Sequence, residues 1–206
     1  QTYEIRADAP GFTPVLSVSS APYRMEIIEP SLAFPDGGDN GIVASFKLND
    51  NPAEVNYYEV RLLAEITERW WGYGGAPGSS ATDTTERTFI TTVGIESDDP
   101  AVTNENDLFY NKLLFKDVLF NGKEFTVRFK SGFTAYNSPW GTRNVNKYFI
   151  SLRSVSEDYY LYVTTAELQD YTSGDPFAQP VTVYNNIENG FGIFAGYSEN
   201  IVEFGP

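Results

Sequence analysis

The chain has 206 residues, no cysteine and no histidine, and 28 acidic against 14 basic residues, for a formal charge of −14 at pH 7. Without Cys and His it has no disulfide, no thiolate nucleophile, no Ser-His-Asp triad and no zinc site built on those ligands, so enzymatic options narrow to carboxylate pairs, Tyr or a Ser/Lys arrangement. The acidic excess repels phosphate backbones, which argues against nucleic acid as a partner, and no apolar run approaches the roughly 20 residues that span a membrane.

A chain of this length can bury roughly 70% of the surface its unfolded form exposes, enough for one large domain or one and a half small ones. Its 41% apolar and 16% aromatic content, rich in Tyr and Phe, points to a β protein with a core of aromatic and β-branched side chains. In chain order, Tyr3, Ile5 and Ala7 alternate with Glu4, Arg6 and Asp8, which predicts a half-buried strand. The opening at Gln1, inside that strand and without a Met, reads as a processed or trimmed product. Met25, Ile27 and Ile28 predict a short strand ended by Pro30. Ile42, Ala44, Phe46 and Leu48 oppose Val43, Ser45 and Lys47. The longest alternation sets Tyr58, Val60, Leu62, Ala64 and Ile66 against Glu59, Arg61, Glu65 and Thr67; a helix competes there, and strand is preferred.

Thr88 to Val93 predicts a further strand, and a helical turn is expected around Asn106 to Leu113. Phe125, Val127 and Phe129 follow Asn121-Gly122, a pair suited to a type I′ turn, so a hairpin with a partner strand near Leu114 to Phe120 is expected. Tyr148, Ile150 and Leu152 predict another strand. A helix follows from about Glu157 to Tyr171, capped by Ser156, with Glu157 and Asp158 at the positive end of its dipole and Tyr159, Tyr162, Val163, Ala166 and Leu168 along an apolar stripe. Ser173 to Pro176 stops it, and Asn189-Gly190 leads into a glycine-interleaved final strand. Many short strands and one helix predict an antiparallel β-sandwich with a helix near the C-terminus.

Three long loops remain, Ser31 to Gly41, Gly72 to Glu86 and Gly132 to Asn146, and two of them carry aromatic clusters. Trp70, Trp71 and Tyr73 lie where the longest strand meets a Gly/Ser/Thr-rich loop. Adjacent strand residues face opposite ways, so at least one tryptophan is a candidate for a place outside the core, stacking on a sugar or anchoring a protein partner. The alternative is that one caps the core edge and the other covers the rim. Phe133, Tyr136 and Trp140 in GFTAYNSPWGTRN have the composition of an adaptable binding loop. Both clusters on one end of the sandwich would make one platform. The acidic groups Asp36, Asp39 and Asn40, and Glu96, Asp98 and Asp99, lack the alternate-acid pattern of a calcium loop and read as solvated turns. No carboxylate pair stands out for glycoside hydrolysis, so no catalytic residue, metal site or cofactor is assigned.

Several spaced motifs carry a resemblance. QTYEIRADAPGF, NPAEVNYYEVRL, ESDDP, FKDVLFNGKEF, and LRSVSEDYYLYV through NNIENGFGIFAG together resemble a Bacteroidota family of cell-surface lipoproteins. That family is known as a domain of unknown function and is usually encoded beside TonB-dependent, SusC-like receptors. The resemblance implies that residues 1–22 are the closing strands of an immunoglobulin-like domain and 23–206 the main domain. It also implies a signal peptide and a lipid-bearing cysteine upstream of Gln1, a place on the outer face of the outer membrane, and a TonB-dependent receptor or other surface-complex subunits as partners. The expected function is therefore a non-enzymatic accessory or binding subunit. The alternatives are a glycan- or peptide-binding module using the aromatic loops and, third, a carboxylate-based glycoside hydrolase.

Overall fold

Strand-forming alternation dominates the structure as it does the sequence. A computed structural model describes residues 1–35, 41–71, 84–102, 111–138, 140–173 and 177–205, with the side chains of Trp71 and Thr84 outside that set. The elements are β1 (Thr2–Ala7), β2 (Val15–Ser20), β3 (Ile28–Ala33), β4 (Ile42–Asn49), β5 (Tyr57–Trp71), β6 (Thr84–Val93), β7 (Leu113–Lys116), β8 (Glu124–Ser131), β9 (Tyr136–Ser138), β10 (Gly141–Val155), α1 (Glu157–Thr172) and β11 (Tyr197–Phe204). The protein is mainly β, with antiparallel sheets and a helix near the C-terminus, as predicted.

The larger sheet has the order β11-β10-β5-β6, with β7 pairing the start of β5 and β9 pairing the start of β10. The smaller sheet is β3-β4-β8, and β1-β2 stand apart as a two-stranded hairpin. Alternation decides which residues meet between the sheets. Tyr58, Val60, Leu62, Ala64 and Ile66 of β5 join Tyr148, Ile150 and Leu152 of β10, and face Ile42, Ala44, Phe46 and Leu48 of β4 with Val127 and Phe129 of β8, all buried in one core cluster. Each Val, Leu, Ile or Phe among them contributes roughly 1.5–3 kcal/mol on burial.

Part of the outer face of the larger sheet is covered too, which the sequence does not foretell. Helix α1 starts where Ser156 accepts a hydrogen bond from the Tyr159 N–H, the predicted cap. It lays Tyr159, Tyr160 and Val163 over Leu114, Val155 and Tyr57, so Tyr160 takes the place expected of Tyr162. No helix residue is fully buried. Glu59, expected on a solvated face, is 0% exposed beneath the helix, because Arg61, Arg153 and the Tyr159 hydroxyl close around it.

Other expectations change with pairing that is distant in sequence. The Asn121-Gly122 hairpin does not form: β8 pairs β4, β7 pairs β5, and a 3-10 turn at Asp117–Leu119 carries the chain between sheets. Only Gly122 of that dipeptide takes a positive φ, 71°. Pro30 lies inside β3 instead of ending a strand. The register shifts between Ile28 and Ser31, and β3 is an edge strand where a missing N–H costs no ladder bond. The Gly132–Asn146 loop holds β9 and the first turn-back into β10. The segment after Asn189 is not a strand; Asn189 takes φ 58° in a turn, and the last strand begins at Tyr197. In β1 every residue is exposed, because the hairpin meets the body through β2, where Ser17 and Ser19 bond Asn186 and Asp158. The helical turn expected at 106–113 lies outside the described residues except for its end, where Leu113 starts β7.

Candidate functional site

Strands β5 and β10 are each fifteen residues long, while the smaller sheet is built from strands of six to eight. The core cluster takes the inner face of β5 as far as Ile66, and the next two inner-face positions, Glu68 and Trp70, lie beyond it. Register then assembles two cross-strand rows there. One row runs Arg87 on β6, Glu68 on β5, Arg143 on β10 and Tyr136 on β9; the next runs Thr85, Trp70, Gly141 and Ser138.

Glu68 is the centre of the first row and is 2% exposed. Arg143 donates to its Oε1 through Nε at 3.0 Å and Nη2 at 2.8 Å, and Arg87 Nη2 donates to Oε2 at 3.0 Å. The Arg143 guanidinium, helped by Arg87, holds the Glu68 carboxyl below the usual carboxylate range against the opposing effect of burial. Aromatic rings clamp both cations: Arg143 lies 4.8 Å from the Tyr136 ring centroid and 5.1 Å from that of Phe133, and Arg87 lies 4.6 Å from that of Phe89. Cation–π contacts of this kind add roughly 0.5–2 kcal/mol each.

In the second row Gly141 lets the indole of Trp70 lie against the backbone. A Cβ at Gly141 would stand 3.1 Å from Trp70 Cε3 and 2.5 Å from the Arg69 carbonyl oxygen. One side of the ring is thus taken, yet Trp70 remains 41% exposed. Trp140, 55% exposed, sits at the tip of the β9–β10 turn, whose backbone N–H groups at 140 and 141 donate to the Ser138 hydroxyl.

The structure therefore gathers Trp70, Phe133, Tyr136 and Trp140 at one end of the larger sheet. Phe133 is partly core, packed against the main cluster. Trp71 ends β5 opposite Thr84, and Tyr73 lies outside the described residues. Sequence reasoning missed Glu68, Arg87, Arg143 and Gly141. One signal was present: Glu68 continues the apolar parity of Tyr58 to Ile66, and an acid in register with core positions demands a partner.

The acidic groups supply no rival site. Glu96 and Asp98 pair with Lys130 at 3.6 and 3.2 Å, and Asp99 Oδ1 accepts the Ala101 N–H, while Asp36, Asp39 and Asn40 lie outside the described residues. Among the described residues no three acids converge to hold a metal ion. A groove of about 510 Å³ runs between residues 23–28 and the β4–β5 turn. The buried carboxylate in its lining, Asp50, is already engaged on both oxygens, by the Tyr58 hydroxyl and the Gly122 N–H.

None of the curated proteins compared matches the chain. A family profile described as a domain of unknown function, DUF4249, matches residues 1–201, from the first hairpin through the middle of β11, and the chain belongs to that family.

Proposed function

We propose that the protein is a non-enzymatic, surface-exposed outer-membrane lipoprotein. It serves a TonB-dependent transporter or related surface complex as an accessory or binding subunit, with the aromatic and arginine platform as its ligand face. The convergence of Trp70, Phe133, Tyr136 and Trp140 from two separate segments onto one rigid sheet end supports the binding role. Exposed aromatic surface on a scaffold ordered beforehand loses little entropy when a ligand docks. The cellular setting rests on the motif resemblance to Bacteroidota surface lipoproteins. In this reading β1–β2 close an immunoglobulin-like domain and a lipid anchor lies upstream of Gln1.

Two measurements test the proposal. Crosslinked affinity purification from native membranes is expected to recover a TonB-dependent receptor; recovery of no outer-membrane protein, with uptake unaltered on deletion, sinks the accessory role. The double variant Trp70→Ala, Trp140→Ala is expected to lose ligand capture while its Tm moves only a few degrees, since both rings are about half exposed and 1 kcal/mol corresponds to roughly 2–4 °C at this size. Collapse of the fold would assign the rings to packing instead.

A further inference from the structure

We infer that the platform takes a sugar ring bearing a carboxylate, with Trp70 as the stacking surface and the Arg87 guanidinium as the anion's partner. This rests on the platform being a ligand face and specifies the chemistry of the ligand.

The stacking surface is built before any ligand arrives. Gly141 supports the Trp70 indole from one side, and Thr85, its exposed cross-strand partner, places a hydroxyl-bearing residue beside it. A flat ring backed by backbone and bordered by a hydroxyl suits the C–H face of a pyranose, whose own hydroxyls need partners at the edge.

The preference for an acid follows from the charges. Arg143 spends two donors on the Glu68 Oε1 and carries rings on its guanidinium. Arg87 answers the other oxygen with one nitrogen, and its side chain is 63% exposed. Its Nε and remaining Nη donors make no hydrogen bond among the described residues. Phe89 and Glu68 fix the plane of the guanidinium, so its free edge is oriented in advance. Among the described residues, two cations against one carboxylate leave one positive charge at this end of the inner face, in a chain whose formal charge is −14. Glu86, the acid next to Arg87 in sequence, does not cancel it, because Glu86 pairs with Arg69 on the other face of the sheet. A planar donor edge held beside a stacking ring is the geometry that recognises a carboxylate on a ring.

The experiment uses the full chain on an array of uronate, sialate and neutral-sugar probes, followed by titration with oligogalacturonate and its methyl ester. The methyl ester keeps the ring and removes the charge. Acidic probes are expected to bind. Esterification, or Arg87→Gln, should weaken binding roughly ten-fold or more, in line with a charge-assisted hydrogen bond; the variant stays folded with its Tm lowered by roughly 3–10 °C, since Glu68 loses one donor and keeps Arg143, and the ester leaves the protein itself unchanged. Equal binding of ester and acid, preference for neutral sugars, or no effect of Arg87→Gln overturns the inference and leaves the ligand face standing. Capture of carboxylate-ended peptides in preference to every saccharide overturns the sugar assignment. Binding of no probe of any class overturns both readings.

Discussion

Buried carboxylates in this protein are handled in opposite ways. Glu68 has two guanidinium partners, whereas Asp117, 0% exposed, has none. Its Oδ2 accepts from the Asn56 backbone N–H at 2.8 Å and the Asn56 amide at 3.2 Å, and its Oδ1 is buried without a donor. Burial pushes the Asp117 carboxyl up, and neighbouring Asp50 adds to the rise, against the lowering effect of Asn56. A carboxyl whose folded pKa lies above its unfolded value favours the folded state when protonated, so its contribution falls as pH rises from the unfolded value of about 3.9 through the folded one. Asp117→Asn keeps an acceptor for Asn56 and turns an amide donor toward Asp50. The variant is therefore expected to melt higher than the parent at pH 7, by the equivalent of about 1 kcal/mol, with the gap closing as pH approaches 4. Thermal melts across that pH range check it, and a variant less stable at pH 7 contradicts it. At this scale the sequence is partly legible: Asp117 within FKDVLF and Glu68 at the end of an apolar parity both stand where a hydrophobe is expected, but their partners lie 61 and 75 residues away.

Helix α1 is attached by polar contacts more than by apolar area. Tyr159 OH donates to the buried Glu59 at 2.7 Å, Tyr57 OH to Glu157 at 2.9 Å, and Ser19 and Tyr184 both donate to Asp158 at 2.7 Å. Burial and the adjoining carboxylates push the Tyr57 and Tyr159 hydroxyls up to about 12, so both remain donors at any physiological pH. Their contributions differ because their acceptors differ. Tyr159→Phe strips a donor from a fully buried carboxylate and is expected to cost about 1.5–3 kcal/mol, while Tyr57→Phe frees an exposed one and should cost less than about 1 kcal/mol. Urea titration separates the two, and equal losses would mean that Glu59 finds a replacement donor. The helix limits were readable from Ser156 and the acids that follow, as β4 and β8 were from strict alternation. Partner choice was not: Asn121-Gly122 has the local chemistry of a hairpin turn, yet β8 pairs with β4, some eighty residues earlier. β9 was hidden because three residues are too few to show a period.

For the whole molecule, the layers are the smaller sheet, the larger sheet, and a cover of α1 with the β2 side of the N-terminal hairpin. Protection should follow that order. Hydrogen exchange is expected to be slowest in β5 and β10 between Val60 and Ile66 and between Tyr148 and Leu152, and fastest in β1, which is exposed throughout; uniform protection would contradict it. The central pairing also governs how the chain must be made. β5 ends at residue 71 and its long partner β10 begins at residue 141, so a growing or truncated chain carries a fifteen-residue strand with one side unpaired until most of the sequence is available. Such an edge, with two each of Tyr, Leu and Trp, invites pairing with another chain. Closing the central ladder across that separation is slow. Fragments ending before β10 are therefore the forms of this protein most prone to aggregate.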